Sequence, residues 1–316
     1  MSLAAYLNPG RDLATAVALA QRAEALAYES LWVTHGTGRD SFIVLAAYGA
    51  ATARIGLGNG VVPIYPRHPV AMAQAALTLA EVTGERFRLG IGVSHRATME
   101  RMLGLALDDP LGVMREYVAT LRGALNGSAD HEGRNFRVHW SYGVPARPAA
   151  PPIFLAALSP RMLELAGEIA DGVVLWLTPP AYVRDVAVPL LEQGRRRAGK
   201  SLRGFEIVAA VPLAVTAERA SALAAFRSEL TRYLQLPFYR AMLERAGLGD
   251  GLRAFDRDGE TPLALAEALG AVGAAAPAQA LVAAYRDAGV TLPAVRPIIF
   301  PDAPWFWPTL EQAAEW

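Results

Sequence analysis

The chain contains no cysteine. Disulfides, thiolate nucleophiles and cysteine-based metal centres are therefore excluded. It also lacks any surplus of charge: 30 Lys+Arg balance 30 Asp+Glu, and only 19% of residues are charged. Without a basic face there is no electrostatic footprint for nucleic acid, and without a polybasic tail none for an anionic membrane. The longest uncharged run, residues 268–285, is interrupted by Gly270, Gly273 and Pro277 and makes a poor membrane span. The N-terminal stretch is apolar but has no basic n-region, and Arg11 and Asp12 break it, which argues against a secretory signal. Neither HExxH nor His-x-His occurs, so no metal site is expected. The GxGxxG of a doubly wound dinucleotide fold is missing after the first strand. These absences leave a cytoplasmic protein that acts on a small molecule.

What is present is a large apolar fraction, 53% of 316 residues, enough for one sizeable core. Short apolar runs at residues 2–7, 30–34, 54–62, 86–93, 153–158, 172–177, 205–216 and 296–300 alternate with helical patterns. Asp12 can cap the first helix, and Ser159-Pro160 has the form of a helix start. Continuously apolar strands separated by helices indicate a parallel sheet covered on its outside. Eight such units predict a (β/α)8 TIM barrel, a single domain over residues 1–316. Residues 145–152 read as an extended proline-rich connection, 133–138 as a short surface strand and 248–260 as a polar loop. The segment 226–277 exceeds one crossover helix and is expected to be an insertion near the C-terminal face of the barrel, serving as a lid.

The stretch 54–95 organises the rest. Its two strands end in Gly58-Asn59-Gly60-Val61-Val62-Pro63 and in Gly90-Ile91-Gly92-Val93-Ser94-His95. Barrel enzymes carry their chemistry at such strand ends. The first cluster reads either as backbone needing positive φ or as backbone approached closely by a flat cofactor. The alternating glycines of the second leave room for another group to pack. His95 is either a hydrogen-bonded loop residue or a catalytic group. His35, just after the second strand, reaches the same face by topology. Two histidines near a redox ring suit proton exchange better than metal binding. At Ala157-Leu158-Ser159-Pro160-Arg161-Met162, simple capping and an anion site are both readable. A helix start offers free N–H groups and a favourable dipole, and Arg161 adds a cation. His68, His131 and His139 receive no role, Trp305, Phe306 and Trp307 read as packing, and Arg195-Arg196-Arg197 reads as a solvated helix end.

These residues resemble the luciferase-like monooxygenase superfamily, on the branch that uses the deazaflavin coenzyme F420 and includes methylenetetrahydromethanopterin reductase. Residues 54–69 are similar to R-I-x-L-G-x-G-V-x-P-x-Y-x-R-x-P. Residues 76–95 are similar to A-x-T-L-x-E-x-x-G-x-R-F-x-L-G-x-G-V-S-H. Residues 152–175 resemble the phosphate-side block, and Trp32-Val33-Thr34-His35 with Arg39-Asp40 resembles the second-strand motif. Asn59 departs from the pattern, where Thr is frequent. The resemblance implies an oxidoreductase that moves a hydride between F420 and an organic substrate. FMN and oxygen, in a monooxygenase, are the alternative, and a non-catalytic flavin-binding paralogue is a third reading. It implies a cis Gly60–Val61 peptide backing the ring and cofactor contacts at Gly60, Val61, Val93, Ser94, Ala157, Leu158, Ser159, Arg161 and Met162. It places His35 and His95 at the reactive edge, and a homodimer is expected.

Overall fold

A computed structural model describes residues 2–10, 12–144, 147–298 and 302–316. Eight parallel strands form its centre: β1 (Ala4–Leu7), β2 (Ser30–Val33), β3 (Gly56–Asn59), β4 (Phe87–Gly92), β5 (Ile153–Ala156), β6 (Gly172–Leu175), β7 (Glu206–Val215) and β8 (Leu292–Pro297). Each pairs with the next in sequence, and β8 pairs back onto β1, so the sheet closes. Helices lie between the strands, and the expected TIM barrel is borne out. Pro145 and Ala146 of the expected connection, and Ile299 and Phe300 of the expected last strand, lie outside the described residues.

The continuous apolar character of the strands follows from burial on both faces. Ala5, Leu7, Leu31 and Val33 face the surrounding helices, in the outer core. Ala4, Tyr6, Trp32, Phe154, Val174, Val208, Ala210, Leu292 and Ala294 fill the barrel interior. Small residues there make room for large ones. The Trp32 and Phe154 rings meet edge to face at 5.1 Å. Gly58 is small because an added Cβ would stand 2.6 Å from Trp32 Cε3.

Side-chain caps start several helices beyond the strand ends. Asp12 accepts from Thr15 N–H at 2.8 Å, Asp40 from Phe42 N–H at 2.9 Å and Ser159 from Met162 N–H at 3.4 Å. His68 caps Pro69–Val82 by accepting from Val70 N–H at 3.3 Å.

Five details depart from the sequence reading. The last strand, expected over 296–300, begins four residues earlier and runs Leu292–Pro297. Residues expected as one strand over 54–62 divide at Gly60–Val61, and the short piece Val62–Pro63 pairs with β4 instead. The surface strand is an antiparallel hairpin, Ser128–Glu132 with Arg137–Ser141. Gly249–Asp258, within the expected polar loop, is a helix. Its Leu252 and Phe255 are buried at i, i+3 spacing, and Gly259 ends it at φ 72°. Arg195 is not solvated: its guanidinium stacks on Phe205 and donates to Ser201 O at 2.8 Å. Among the described residues no helix is long and apolar enough to cross a membrane.

Candidate active site

The ends of β3 and β4 interlock. Gly58, Gly60, Gly90 and Gly92 all lack positive φ, which removes that reading of the glycines. They are small because other groups occupy the Cβ positions. At Gly60 the Tyr6 ring and hydroxyl stand there, and at Gly90 the Asn59 carbonyl does. At Gly92, Val61 Cγ2 and Ala156 Cβ would come within 3.0 and 3.1 Å. The room left by β4 is therefore filled by the inward step of the chain at 59–61. The Gly60–Val61 peptide is cis. Tyr6, from β1, donates its hydroxyl to Gly60 O, and Val61 packs on the barrel interior.

His35 follows β2 and is held by two other elements. Its Nδ1 lies 2.9 Å from Ser41 Oγ and 3.3 Å from Ser41 N. Ser41 is the first residue of the helix Ser41–Ala51. Asn59, at the end of β3, donates from Nδ2 to the same Oγ at 2.7 Å. Burial lowers the His35 pKa, Asp40 opposes that shift and Arg67 adds to it. Arg67 and Asp40 form an ion pair, and Arg67 lies over the Phe42 ring.

His95 follows β4 and Ser94, whose φ is 62°. Its carbonyl accepts from Thr98 and Met99 N–H at 2.9 Å, where a wide helical turn, Ala97–Met102, begins. Burial lowers the His95 pKa too, so both imidazoles favour the neutral form. The His95 ring is 5.8 Å from Tyr239, Tyr239 is 5.1 Å from Tyr233, Tyr233 is 6.1 Å from Trp176, and Trp176 is 5.1 Å from Tyr6. An aromatic path thus runs from His95 to the residue that holds Gly60. Through Asn59 and Ser41 it continues to His35, so the two predicted histidines belong to one connected rim. Burial raises the phenols of Tyr6, Tyr233 and Tyr239, which stay neutral donors at ordinary pH.

Two of these aromatics come from the segment after β7. Tyr233 belongs to Arg219–Leu234 and Tyr239 to Pro237–Arg245. The first helix also supplies Glu229, which pairs with Arg296 of β8, and Arg296 lies 5.0 Å from the Trp176 ring centre. Both members of the pair are buried, with side-chain exposures of 12% and 10%, and Arg296 Nη1 and Glu229 Oε2 have no hydrogen-bond partner. Tyr6, Ser41, Trp176, Glu229, Tyr233, Tyr239 and Arg296 were not singled out from sequence. One signal was legible: Arg296 is a lone charge in the apolar run RPIIF at a strand end. Tyrosines on amphipathic helices carry no such mark.

The third predicted group lies after β5. Ser159 caps Pro160–Ile169, and Leu158 O accepts from Tyr182 Oη at 2.6 Å, which pins the turn. Pro160 has no N–H, and Ser159 takes the Met162 N–H, so the Arg161 N–H has no intrahelical partner. The Arg161 side chain borders an outer cleft of about 280 Å³ shared with Arg115, Glu164, Glu168 and Arg197. There Arg115 pairs with Glu168 and Arg197 with Glu164 at 2.7 Å. No carboxylate pairs with Arg161 among the described residues.

The profile of the family described as luciferase-like monooxygenase matches residues 2–292. A 5,10-methylenetetrahydromethanopterin reductase of Archaeoglobus fulgidus is 32% identical over 230 residues, 72% of this chain and 68% of that one. A putative coenzyme F420-dependent oxidoreductase of Mycobacterium tuberculosis is 32% identical over 235 residues, 68% of this chain and 67% of that one. The solved coenzyme F420-dependent tetrahydromethanopterin reductase of Methanopyrus kandleri shares the fold, with TM-score 0.82 at 24% identity, covering 99% of this chain and 97% of that one. The closed barrel and these likenesses agree: the chain belongs to the luciferase-like monooxygenase family and is related to its F420-dependent oxidoreductases.

Proposed function

We propose that the protein is an F420-dependent oxidoreductase that transfers a hydride between the deazaflavin and an organic substrate. The observation that carries this reading is the pair of half-buried imidazoles, both biased to the neutral form, on one aromatic rim at the C-terminal ends of the strands. The donor set suits such a cofactor. A capped helix start with an Arg161 N–H, and a guanidinium that pairs with no carboxylate among the described residues, fits a phosphate. The aromatic and apolar rim of Val61, Trp176 and Tyr239 fits a planar ring.

Bound there, the deazaflavin would supply the hydride carrier. Ala157, Leu158, Ser159, Arg161 and Met162 would hold its phosphate, and Gly60, Val61, Val93 and Ser94 its ring. His35 and His95 would face the substrate and handle the hydrogen bond and proton that accompany hydride movement. The inserted segment 226–277, with Arg219–Leu234 leading into it, acts as a lid: Tyr233 and Tyr239 bring its weight onto the rim and exclude water.

The family also contains monooxygenases, as its name records, so the cofactor decides the reaction class. Titration of the purified protein with F420 and with FMN, followed by absorbance and fluorescence, is expected to show saturable binding of F420 alone. Tight FMN binding without affinity for F420 would move the protein to the monooxygenase reading. Unchanged turnover in the His35→Ala, His95→Ala double variant would remove both histidines from the mechanism.

A further inference from the structure

We propose that Ser41 and Asn59 are positioning residues that lock His35 in the tautomer with its proton on Nε2. His35 then acts as a neutral hydrogen-bond donor to the substrate, and proton exchange is left to His95. The substrate half of this statement rests on the function proposed above; the tautomer half does not.

The argument begins with a group that can only donate. The Ser41 backbone N–H points at His35 Nδ1 with N···N 3.3 Å. This N–H is spare because Ser41 opens its helix, where the first amides have no intrahelical acceptor. The side chain reinforces it. A serine hydroxyl has one proton and two acceptor positions. Asn59 Nδ2 occupies an acceptor position of Ser41 Oγ at 2.7 Å, which frees the hydroxyl proton for Nδ1 at 2.9 Å. Two donors from one residue thus converge on Nδ1. A ring nitrogen that receives them presents its lone pair, so the single proton of the neutral ring is on Nε2. Reversing the Asn59 amide would alter the hydroxyl contact but not the backbone one, so the assignment does not depend on which way that amide is placed.

Nε2 has no protein partner among the described residues and is absent from the buried unpartnered atoms. It is therefore the end of the ring left for a ligand. A neutral imidazole with an N–H there can polarise a carbonyl or steady a developing alkoxide. It cannot take up a proton at that atom, because no lone pair is available. Gaining one at Nδ1 would set an N–H against the Ser41 N–H. His95 carries no such constraint: no hydrogen bond to its ring occurs among the described residues, and its one ring contact is Tyr239. The two histidines are thus unequal partners.

The test is long-range 1H–15N correlation of the 15N-histidine-labelled full chain without cofactor, with His35→Gln used to assign the signals. In the wild type, His35 is expected to show a protonated Nε2 and a bare, hydrogen-bonded Nδ1. Ser41→Ala keeps only the 3.3 Å donor, so the Nδ1 resonance should move toward that of an unbonded ring nitrogen. Asn59→Asp puts an acceptor beside Ser41 Oγ and draws the hydroxyl proton away, so the Nδ1 resonance should move in the same direction as in Ser41→Ala, with the proton still on Nε2 because the backbone donor remains. A wild-type proton on Nδ1, or a Nδ1 signal indifferent to Ser41→Ala, would overturn the proposal. If Asn59→Asp does not fold, the wild type and Ser41→Ala still decide it. A protein that binds no F420 would remove the proposed function and leave this result standing.

Discussion

At the scale of single residues, space matters as much as chemistry. Gly90 is the clearest case, because the Asn59 carbonyl sits where its Cβ would be. Backbone is the neighbour there, so it cannot rotate away as a long side chain could. Gly90→Ala is expected to destabilise the fold by about 1–3 kcal/mol or more through overpacking, and to disturb the 59–61 step. Gly36→Ala is the control, since nothing lies within 4 Å of an added Cβ there. Urea denaturation of the two variants gives the comparison; equal midpoints would contradict the packing argument. The glycine alternation on β4 was visible in the sequence as spare room. The occupant was not, because it arrives from β3 and its place is set by strand register.

At the scale of elements, the mouth of the barrel is tied to the segment above it by a buried charge pair. Glu229 stands one helical turn from Tyr233, and Arg296 is the penultimate residue of the last strand. Removing one member leaves the other charge buried without its partner, which costs about 3–5 kcal/mol. Replacing both by apolar residues of similar volume can be neutral or stabilising. Glu229→Leu alone should therefore lower stability strongly, and adding Arg296→Met should recover most of the loss in a double-mutant cycle. Additive losses would mean that the two do not act as a pair. The same scale explains the misread polar loop. In 249–258 only Leu252 and Phe255 mark a buried face, too few apolar residues to reveal a helical period until neighbouring helices cover them.

At the scale of the whole molecule, the two rim histidines make stability depend on pH in a definite direction. Burial holds both below the ordinary value of 6.5. As pH falls through about that value the unfolded chain takes up protons that the native state refuses, so native stability decreases. The decrease continues until the pH reaches the lowered native pKa values. His139 acts the other way, since its contacts with Glu132 and Asp130 raise its pKa, but it is fully exposed. Urea midpoints measured from pH 7.5 down to 5.5 are expected to fall, and to fall less in a His35→Asn, His95→Asn variant. A midpoint that rises over this range would contradict the burial of the two rings.

The sequence alone determined the barrel, the helix starts at Asp12 and Ser159, and the three strand ends of the candidate site. Those follow from local causes: hydrophobic period, capping side chains and turn residues are written within a few positions of one another. It also named His35 and His95. Only the tertiary structure decided what surrounds them. The Ser41–Asn59 clamp on one ring, the tyrosine path to the other and the Arg296–Glu229 tie join residues from β1, β3 and β8, from just beyond β2, β4 and β6, from the helix Ser41–Ala51 and from two later helices. No periodicity records such meetings, because closure of the sheet brings together positions that are far apart along the chain.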